Sequence, residues 1–290
     1  MAHFKEFRKG FQSGENAPGG GGDMHASALD HDFVSTLGGG KSPADPWERI
    51  GPWLEESGFG TGTIDAAAGL TGAWLKKGAA KNVLEVGCGL GLATRRLSKD
   101  GFKVRALDDS PTLVARAKDN AKGATVETAN LLDLPPGRYD ALISVNNGFS
   151  RFTLEGQAEA FLEAAHAALK PKGLFSVVFF NREALDEEKL NKSFMEGPFN
   201  VEDGKLLIYD QWQGHPDGGD RFVWAPLFAV GDHGIDWVRR SIPYKFWRID
   251  EVKAMLKAAG FEIESTVDAA DGKSAPTKNS RRIEVRARAN

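Results

Sequence analysis

A glycine-rich turn between an apolar strand and the start of a helix constrains this chain most. It occupies residues 83–94, which read Val-Leu-Glu-Val-Gly-Cys-Gly-Leu-Gly-Leu-Ala-Thr. Glycine adopts positive φ at little cost and lets a ligand contact bare main chain. A strand, a glycine turn and a helix N-terminus together form a cradle for a small molecule at the carboxyl edge of a parallel sheet. The stretch therefore predicts an α/β fold built around this cradle.

The spacing of the glycines distinguishes two kinds of cradle. The dinucleotide-binding fingerprint has glycines at the first, third and sixth positions of the turn. Counted from Gly87 the sixth position is Leu92, and counted from Gly89 it is Thr94. The pattern Glu-x-Gly-x-Gly-x-Gly that starts at Glu85 instead resembles motif I of the class I S-adenosylmethionine-dependent methyltransferases. The resemblance implies S-adenosyl-L-methionine as the cofactor, and a nicotinamide-dependent oxidoreductase stays the alternative.

Length, charge and cysteine content narrow the class of protein further. The 290 residues can bury the core of one or two domains. Lys and Arg number 37 against 40 Asp and Glu, so no basic excess indicates a nucleic-acid partner. The longest apolar runs, such as 177–180, are too short to cross a bilayer, so we expect no membrane partner. A single cysteine, Cys88, cannot form an internal disulfide and predicts a cytoplasmic protein.

The chain divides into four segments by composition. Residues 1–43 are rich in Gly, Ser, Ala and Asp and predict a flexible segment. Residues 44–80 predict a helical lid, with Asp45 as the N-cap of its first helix and Pro46 at the first helical position. Alternating β and α patterns predict a cofactor-binding α/β core over 81–182 and 247–290. Between these parts, 183–246 predict an inserted, substrate-side antiparallel β-meander.

The α/β core predicts a Rossmann-like, mostly parallel seven-stranded sheet with helices on both faces. The resemblance implies that the last strand runs antiparallel to the rest. Strands are expected at 82–86, 103–108, 124–130, 139–145, 173–180, 261–267 and 282–288, and in the meander at 206–209, 222–224 and 235–238. Helices are expected at 63–77, 91–99, 111–121, 155–169 and 250–259.

Polar residues follow the predicted strands at the edge that carries the cradle. Asp108 ends the second strand, where a carboxylate can accept hydrogen bonds from both hydroxyls of an adenosine ribose. Asn130 ends the third strand and can hydrogen-bond the adenine edge, while Leu131 can pack on the ring. The predicted cofactor site comprises Glu85, Gly87, Gly89, Asp108, Asp109, Asn130, Leu131, Val145 and Asn146. No Asp/His cluster has the spacing of a metal site, so we expect no metal.

A narrower resemblance rests on the loop after the fourth strand. Asn146-Asn147-Gly148-Phe149 is similar to the Gly-Asn-Ser-Phe loop of glycine N-methyltransferase and its small-molecule relatives. The Ala129-Asn130 pair, Asn181 and Pro243 also match that family. The resemblance implies that Asn147, Phe149 and Asn181 serve methyl transfer to an amine or amino acid. One position departs from the family, because Phe180 stands where an arginine would hold an amino-acid carboxylate, so glycine as the acceptor stays open.

Aromatic residues concentrate in the inserted segment and just after it. They are Tyr209, Trp212, Trp224, Trp237, Tyr244 and Trp247. Aromatic faces can hold cations, which suits an ammonium or sulfonium group, although a half-buried sheet face explains them as well. Tyr244 joins Asn147, Phe149 and Asn181 as the fourth catalytic candidate.

The kind of acceptor depends on whether the site holds a general base. An alcohol acceptor needs one, whereas a neutral amine or a thioether does not. We find no convincing base in the sequence, which favours N- or S-methylation of a small amine, an amino acid or a thioether such as methionine. A binding module without catalysis is a third hypothesis, and a homo-oligomer stays open.

Overall fold

The computed structural model describes residues 45–135, 138–232 and 234–290, so the predicted flexible segment 1–43 lies outside the described residues. Thirteen strands are described in these ranges. They are β1 Asn82–Val86, β2 Lys103–Asp108, β3 Thr125–Thr128, β4 Tyr139–Ser144, β5 Leu169–Phe180, β6 Ser193–Val201, β7 Gly204–Gly214, β8 Arg221–Trp224, β9 Leu227–Gly231, β10 Asp236–Arg239, β11 Ile242–Lys245, β12 Phe261–Asp268 and β13 Arg282–Ala289. The α-helices are α1 Ile50–Ser57, α2 Ile64–Lys77, α3 Leu92–Lys99, α4 Pro111–Asn120, α5 Gln157–Ala168 and α6 Ile249–Ala258.

The main sheet has seven strands in the order β12-β13-β5-β4-β1-β2-β3. Strands β1 to β5 form parallel pairs, and helices α3, α4 and α5 connect β1 to β2, β2 to β3 and β4 to β5. Strand β13 runs antiparallel to both of its neighbours, β5 and β12. The predicted seven-stranded, mostly parallel sheet with an antiparallel last strand is confirmed.

Helices cover both faces of the main sheet, as predicted. Successive side chains of a strand point to opposite faces. Val83 of β1 accordingly packs in a core with α2, α3 and α4, and its neighbour Leu84 packs in a second core with α5 and α6. Both side chains are fully buried. The carboxyl ends of the parallel strands therefore form one edge between two helical layers.

The inserted segment forms a second, antiparallel sheet in the order β10-β9-β7-β8-β11, with β6 also paired to β7. The antiparallel insertion was predicted, but the strand order departs from a simple meander. The reason is the length of β7, which has 11 residues. Residues 205–209 of β7 pair with β9, residues 212–214 pair with β8, and β6 pairs along most of the strand on the other side.

Helix α1 packs on the second sheet through a third core. Ile50, Trp53 and Leu54 are buried there against residues of β7, β8 and β9. The helix begins at Ile50 rather than at Pro46, so the predicted capping role of Asp45 is wrong. The Asp45 carboxylate instead accepts hydrogen bonds from residues of the α/β core, because it lies against the first turn of α4.

Within the described ranges, no helix combines the length and the apolar character that a membrane span requires.

Candidate active site

The glycine turn and the loop after β4 meet at the carboxyl edge of the main sheet. Gly87 and Gly89 have φ values of 74° and 56°, which suit glycine. A Cβ atom on Gly87 would lie 3.2 Å from the Cα atom of Gly148, and one on Gly89 would lie 2.7 Å from Nδ2 of Asn146. Two motifs some 60 residues apart therefore form one narrow cradle, in which the positive φ and the close approach of Gly148 both favour glycine at position 87.

Asp108 lies directly beside this turn. Its Oδ2 atom accepts a hydrogen bond of 2.7 Å from the Gly89 N–H, and its Oδ1 atom accepts one of 3.0 Å from the Ser110 N–H. Burial raises the pKa of Asp108 to about 6, although these two N–H groups favour the charged form. An ionised carboxylate has about four acceptor sites, so each oxygen retains capacity for a ligand hydroxyl.

Two buried acceptor atoms near the turn have no hydrogen-bond partner among the described residues. They are Oε1 of Glu85 and Oδ1 of Asn147. The other oxygen of Glu85 accepts a 2.6 Å bond from the Thr94 hydroxyl, and burial raises the pKa of this carboxyl to about 7. Buried polar atoms are rarely left unpaired, so the pair fits a ligand that donates hydrogen bonds, such as an ammonium group.

Two small cavities open next to the cradle, and Asp109 and Arg151 line both of them. Segment 45–47 lines the first cavity, together with Ser110 and Pro111. The second is lined by the predicted adenine-binding pair, Asn130 and Leu131, and by Leu132, Phe152 and Gln157. Asp109 and the predicted adenine-binding pair therefore share one cavity, whereas Asp108 lines neither of the two.

Sequence reasoning missed Arg151. It ends the short 3₁₀ helix Gly148–Arg151, four residues after Asn147. Its guanidinium carbon lies 5.3 Å from the ring centre of Tyr244 and 6.0 Å from that of Trp47. A single arginine in a loop has no spacing signature, and both rings come from distant parts of the chain, so only the fold reveals this contact.

Three predicted residues have their side chains in the core or in structural hydrogen bonds. Phe149 is fully buried against Phe161, Phe179 and Trp247, so its ring does not line either cavity, and its part in methyl transfer stays a prediction. Val145 is also a core residue, and only its main chain lies at the edge.

Asn181 is the third of these residues. Its Nδ2 atom donates to the Ser280 carbonyl at 2.9 Å, and its Oδ1 atom accepts from the Glu183 N–H at 3.2 Å. These bonds hold the end of β5 and use both ends of the amide. The Asn181 side chain therefore stabilises the loop rather than facing the cradle.

Tyr244 belongs to an aromatic group that we define as Phe180, Trp212, Tyr244 and Phe246. The four rings lie at the end of β5 under the second sheet, with centres 5.0–5.6 Å apart. Burial raises the pKa of the Tyr244 phenol, and the guanidinium of Arg151 partly offsets this effect. Two other predicted aromatic residues lie outside this group: Trp224 packs near α1, and Trp247 lies in the main core.

The site offers neither an activated thiol at Cys88 nor a group of metal ligands among the described residues. Burial raises the pKa of the Cys88 thiol far above its usual value, which disfavours the nucleophilic thiolate. In the part of the chain that the structure describes, no three His, Cys, Asp or Glu side chains are grouped to hold a metal ion.

The strand order, the glycine cradle and the acid at the end of β2 define a class I S-adenosylmethionine-dependent methyltransferase. Residues 83–173 match the family model described as a methyltransferase domain. A solved structure, an S-adenosylmethionine-dependent methyltransferase from Clostridium acetobutylicum, superposes with a TM-score of 0.66 at 16% identity, covering 77% of this chain and 90% of that one. The chain is accordingly a methyltransferase with S-adenosylmethionine as its cofactor, and the oxidoreductase alternative is wrong.

Sequence relatives agree on the class and differ in acceptor. A protein of Geobacillus sp. strain WCH70 named as a methyltransferase is 28% identical over 70% of this chain and 83% of its own length. A glycine/sarcosine N-methyltransferase of Parasynechococcus marenigrum is 27% identical over 57% of this chain and 55% of its own. A 2-methyl-6-phytyl-1,4-hydroquinone methyltransferase of Synechocystis is 33% identical over 60% of this chain and 52% of its own length. The chain thus spans only about half of the two relatives whose acceptors are named.

Proposed function

We propose that this enzyme transfers a methyl group to the nitrogen of a small amine or amino acid, with the sulfur of a thioether amino acid as the second candidate. The observation that carries the proposal is the aromatic group next to Arg151, whose guanidinium carbon lies 5.3 Å from the ring centre of Tyr244. Aromatic faces attract cationic and electron-poor groups, including ammonium ions. The relative named as a glycine/sarcosine N-methyltransferase supports the same kind of acceptor.

The residues of the cradle would hold the methyl donor. Asp108 would accept from the ribose hydroxyls, Asn130 and Leu131 would contact the adenine, and the unpaired oxygens of Asn147 and of Glu85 in its ionised form would accept from the donor's ammonium group. The bound donor supplies an activated methyl group on a sulfonium centre. The protein then has to align the acceptor and exclude water, and alignment can lower such a barrier by roughly 7–11 kcal/mol.

Tyr244 does not offer the base that an oxygen acceptor would need. A hydroxyl acceptor requires a base that takes its proton. The raised pKa of the Tyr244 phenol keeps it protonated at neutral pH, so it is a poor candidate for that base. A neutral amine or a thioether attacks with its own lone pair and needs no such group.

A labelled-methyl assay tests the proposal. Purified enzyme and S-[methyl-³H]adenosylmethionine are incubated with four separate pools: small amines, amino acids, thioethers and hydroxy acids. We expect label in an amine, amino-acid or thioether product, and none with the Asp108→Ala variant as control. Transfer to the hydroxy acids alone would contradict the proposal. Donor binding with no transfer to any pool would favour a binding module without catalysis.

Segment 45–57 is proposed as the lid of the site, at the N-terminal side of the predicted region 44–80. Pro46 and Trp47 line the first cavity, and Asp45 closes onto α4 through Ser110 and Thr112 at distances of 2.7–3.0 Å. A lid at this position would exclude water from the donor during transfer.

A further inference from the structure

We infer that Arg151 binds the carboxylate of the methyl acceptor, which makes the acceptor an amino acid or a similar amino acid-like anion. This inference rests on the proposed function, because it adds a specificity residue to the same site. The guanidinium lies on the wall of both cavities, between Trp47 of the lid and Tyr244 of the aromatic group. Arg151 thus joins the first cavity, which the adenine-binding pair does not line, to the ring of Tyr244.

The surrounding structure fixes the position of Arg151 before any ligand arrives. The preceding residue, Ser150, is fully buried, and its hydroxyl accepts a 2.9 Å hydrogen bond from the Phe180 N–H. Phe149, one residue earlier, is anchored in the core. Nη1 of Arg151 donates to the Pro243 carbonyl at 3.2 Å. The guanidinium is thus pre-organised, which lowers the entropic cost of binding a ligand.

Arg151 lacks a carboxylate partner in the described chain. Nearby arginines have one: Arg182 pairs with Asp220 at 2.7 Å and with Glu187 at 2.5 Å. No acidic side chain of the described residues lies within 4.0 Å of the Arg151 guanidinium. A guanidinium has five N–H donors, and a carboxylate matches two of them in parallel. Arg151 hydrogen-bonds the Pro243 carbonyl and the Tyr244 side chain, and its remaining donors can take a planar anion.

Two acids, Asp45 and Asp109, line the first cavity with Arg151, and neither forms an ion pair with its guanidinium. Asp45 is turned toward Ser110, Thr112 and the Trp47 N–H, and Asp109 is exposed to solvent. The donor also has a carboxylate, but its amino-acid end is assigned to the glycine turn, and neither Gly87 nor Gly89 lines these cavities. The geometry therefore favours the acceptor as the source of the anion.

The test compares wild type with Arg151→Gln and Arg151→Lys on matched acceptor pairs. Each pair is an amino acid and its amide, such as glycine and glycinamide, sarcosine and its amide, or methionine and methioninamide. We expect the acid to be preferred by the wild type, and Arg151→Gln to raise KM for the acid by about ten- to a hundredfold while changing kcat little. Arg151→Lys should recover part of this loss, because it restores the charge without the bidentate geometry.

A binding measurement separates this inference from the proposed function. Acetate is titrated onto the complex with S-adenosylhomocysteine, with no turnover required. Acetate binding that Arg151→Gln abolishes supports the inference even if no tested amine is methylated, and equal binding by both proteins overturns it. Loss of donor affinity in Arg151→Gln would overturn it too, since the guanidinium would then serve the donor's own carboxylate.

The control is Arg248→Gln, which removes the same charge from an exposed arginine outside both cavities. We expect its KM values and acetate affinity to match those of the wild type. Thermal melting of all three variants confirms that they are folded. A wild type that prefers the amides, or an acid preference that persists in Arg151→Gln, would show that this arginine does not select the acceptor.

Discussion

Single residues in the cradle combine a structural role with an open position for a ligand. Asp108 uses both oxygens to hold the Gly89 and Ser110 N–H groups, and these bonds fix the glycine turn against the start of α4. Because an ionised carboxylate still has free lone pairs, the same side chain can hold the ribose. Its sequence position at the end of β2 predicts the second role, whereas the first depends on tertiary contacts.

Replacing Asp108 by Asn should weaken donor binding strongly. The amide keeps the size of the side chain but loses the charge and turns one acceptor into a donor. Hydrogen bonds to charged groups contribute about 1.5–3 kcal/mol, so we expect the Kd for S-adenosylmethionine to rise at least tenfold. Isothermal titration measures this, with Asp119→Asn on the exposed surface of α4 as the control. Unchanged affinity in a folded Asp108→Asn protein would remove Asp108 from the ribose site.

The raised pKa of Asp108 predicts pH-dependent donor binding. Below a pH of about 6 the carboxyl becomes protonated in the free enzyme and loses acceptor capacity. We therefore expect the Kd for S-adenosylmethionine to rise as pH falls from 7.5 to 5. The Asp108→Asn variant should show a flatter profile over the same range. Wild-type affinity that stays constant down to pH 5 would argue against an ionised Asp108 at the ribose.

Glu85 predicts that the stability of the protein falls as pH rises, whereas donor binding through Asp108 is expected to weaken as pH falls. Burial raises the pKa of its carboxyl to about 7 in the folded state, from a value of 4.5 when exposed. A raised folded-state pKa means that its stabilising contribution is complete below about pH 4.5 and is lost as pH rises through 7. The Tm of the wild type, measured relative to that of Glu85→Gln, should thus fall as pH rises from 5 to 8. A constant difference in Tm across this range would contradict the neutral form of buried Glu85.

At the scale of elements, the regular alternation of strands and helices predicted the main sheet. Proline and glycine weakened the sequence signal of several strands in the second sheet. Strands β6, β9 and β11 were missed because proline or glycine interrupts or flanks each of them. Strand β6 contains Gly197-Pro198 at an irregularity in its pairing, β9 follows Pro226, and β11 contains Pro243. Proline weakens a strand signal, although an edge or irregular position tolerates it.

The site was predicted where a motif lies on one chain segment and missed where two segments meet. Gly87, Gly89 and Asp108 follow from strand ends, so their positions were readable from the sequence. Arg151 acquires its surroundings from Trp47 and Tyr244, which lie about 100 residues away on either side. Such tertiary contacts leave no periodic pattern. The same limit explains the interpretation of Phe149 as a catalytic residue, because its motif position does not reveal which way the ring points.

The buried position of Phe149 predicts an effect on stability rather than on catalysis. Its ring packs against Phe152, Phe161 and Trp247. Phe149→Leu should lower the free energy of unfolding by about 1–3 kcal/mol, because the smaller side chain leaves unfilled core volume. Urea unfolding measures the loss, and turnover per folded molecule should remain within about twofold of wild type. A folded variant with turnover reduced a hundredfold would return Phe149 to the site.

At the scale of the whole molecule, segment 45–57, the proposed lid, links the second sheet to helix α4 of the α/β core. On one side, Arg240 donates to the main-chain carbonyls of Pro46 and Glu48 at 2.9 and 2.7 Å, which holds the segment to the second sheet. On the other side, Glu55 of α1 pairs with Arg116 and Asn120 of α4, both at 2.6 Å. Motion of the second sheet would therefore move the lid relative to the cradle.

The contacts of Glu55 are also linked to the glycine turn. Asn120 donates both to Glu55 and to the carbonyl of Leu90, at 2.9 Å, inside the turn that would hold the donor. A ligand that orders the turn should consequently strengthen the attachment of α1. The apolar contacts between Trp53 and the second sheet do not depend on this link. We therefore expect the side of the lid that faces α4 to open first.

Hydrogen exchange tests this coupling in the intact protein. S-adenosylhomocysteine should slow amide exchange in residues 45–57, because ordering the turn strengthens the bonds between α1 and α4. Glu55→Ala should speed exchange in this segment and remove most of the protection that the ligand gives, while the strands of the second sheet keep their rates. Glu159→Ala, on the exposed surface of α5, is the matched control and should behave as wild type. Equal exchange in residues 45–57 with and without ligand would mean that the segment is a fixed wall rather than a lid.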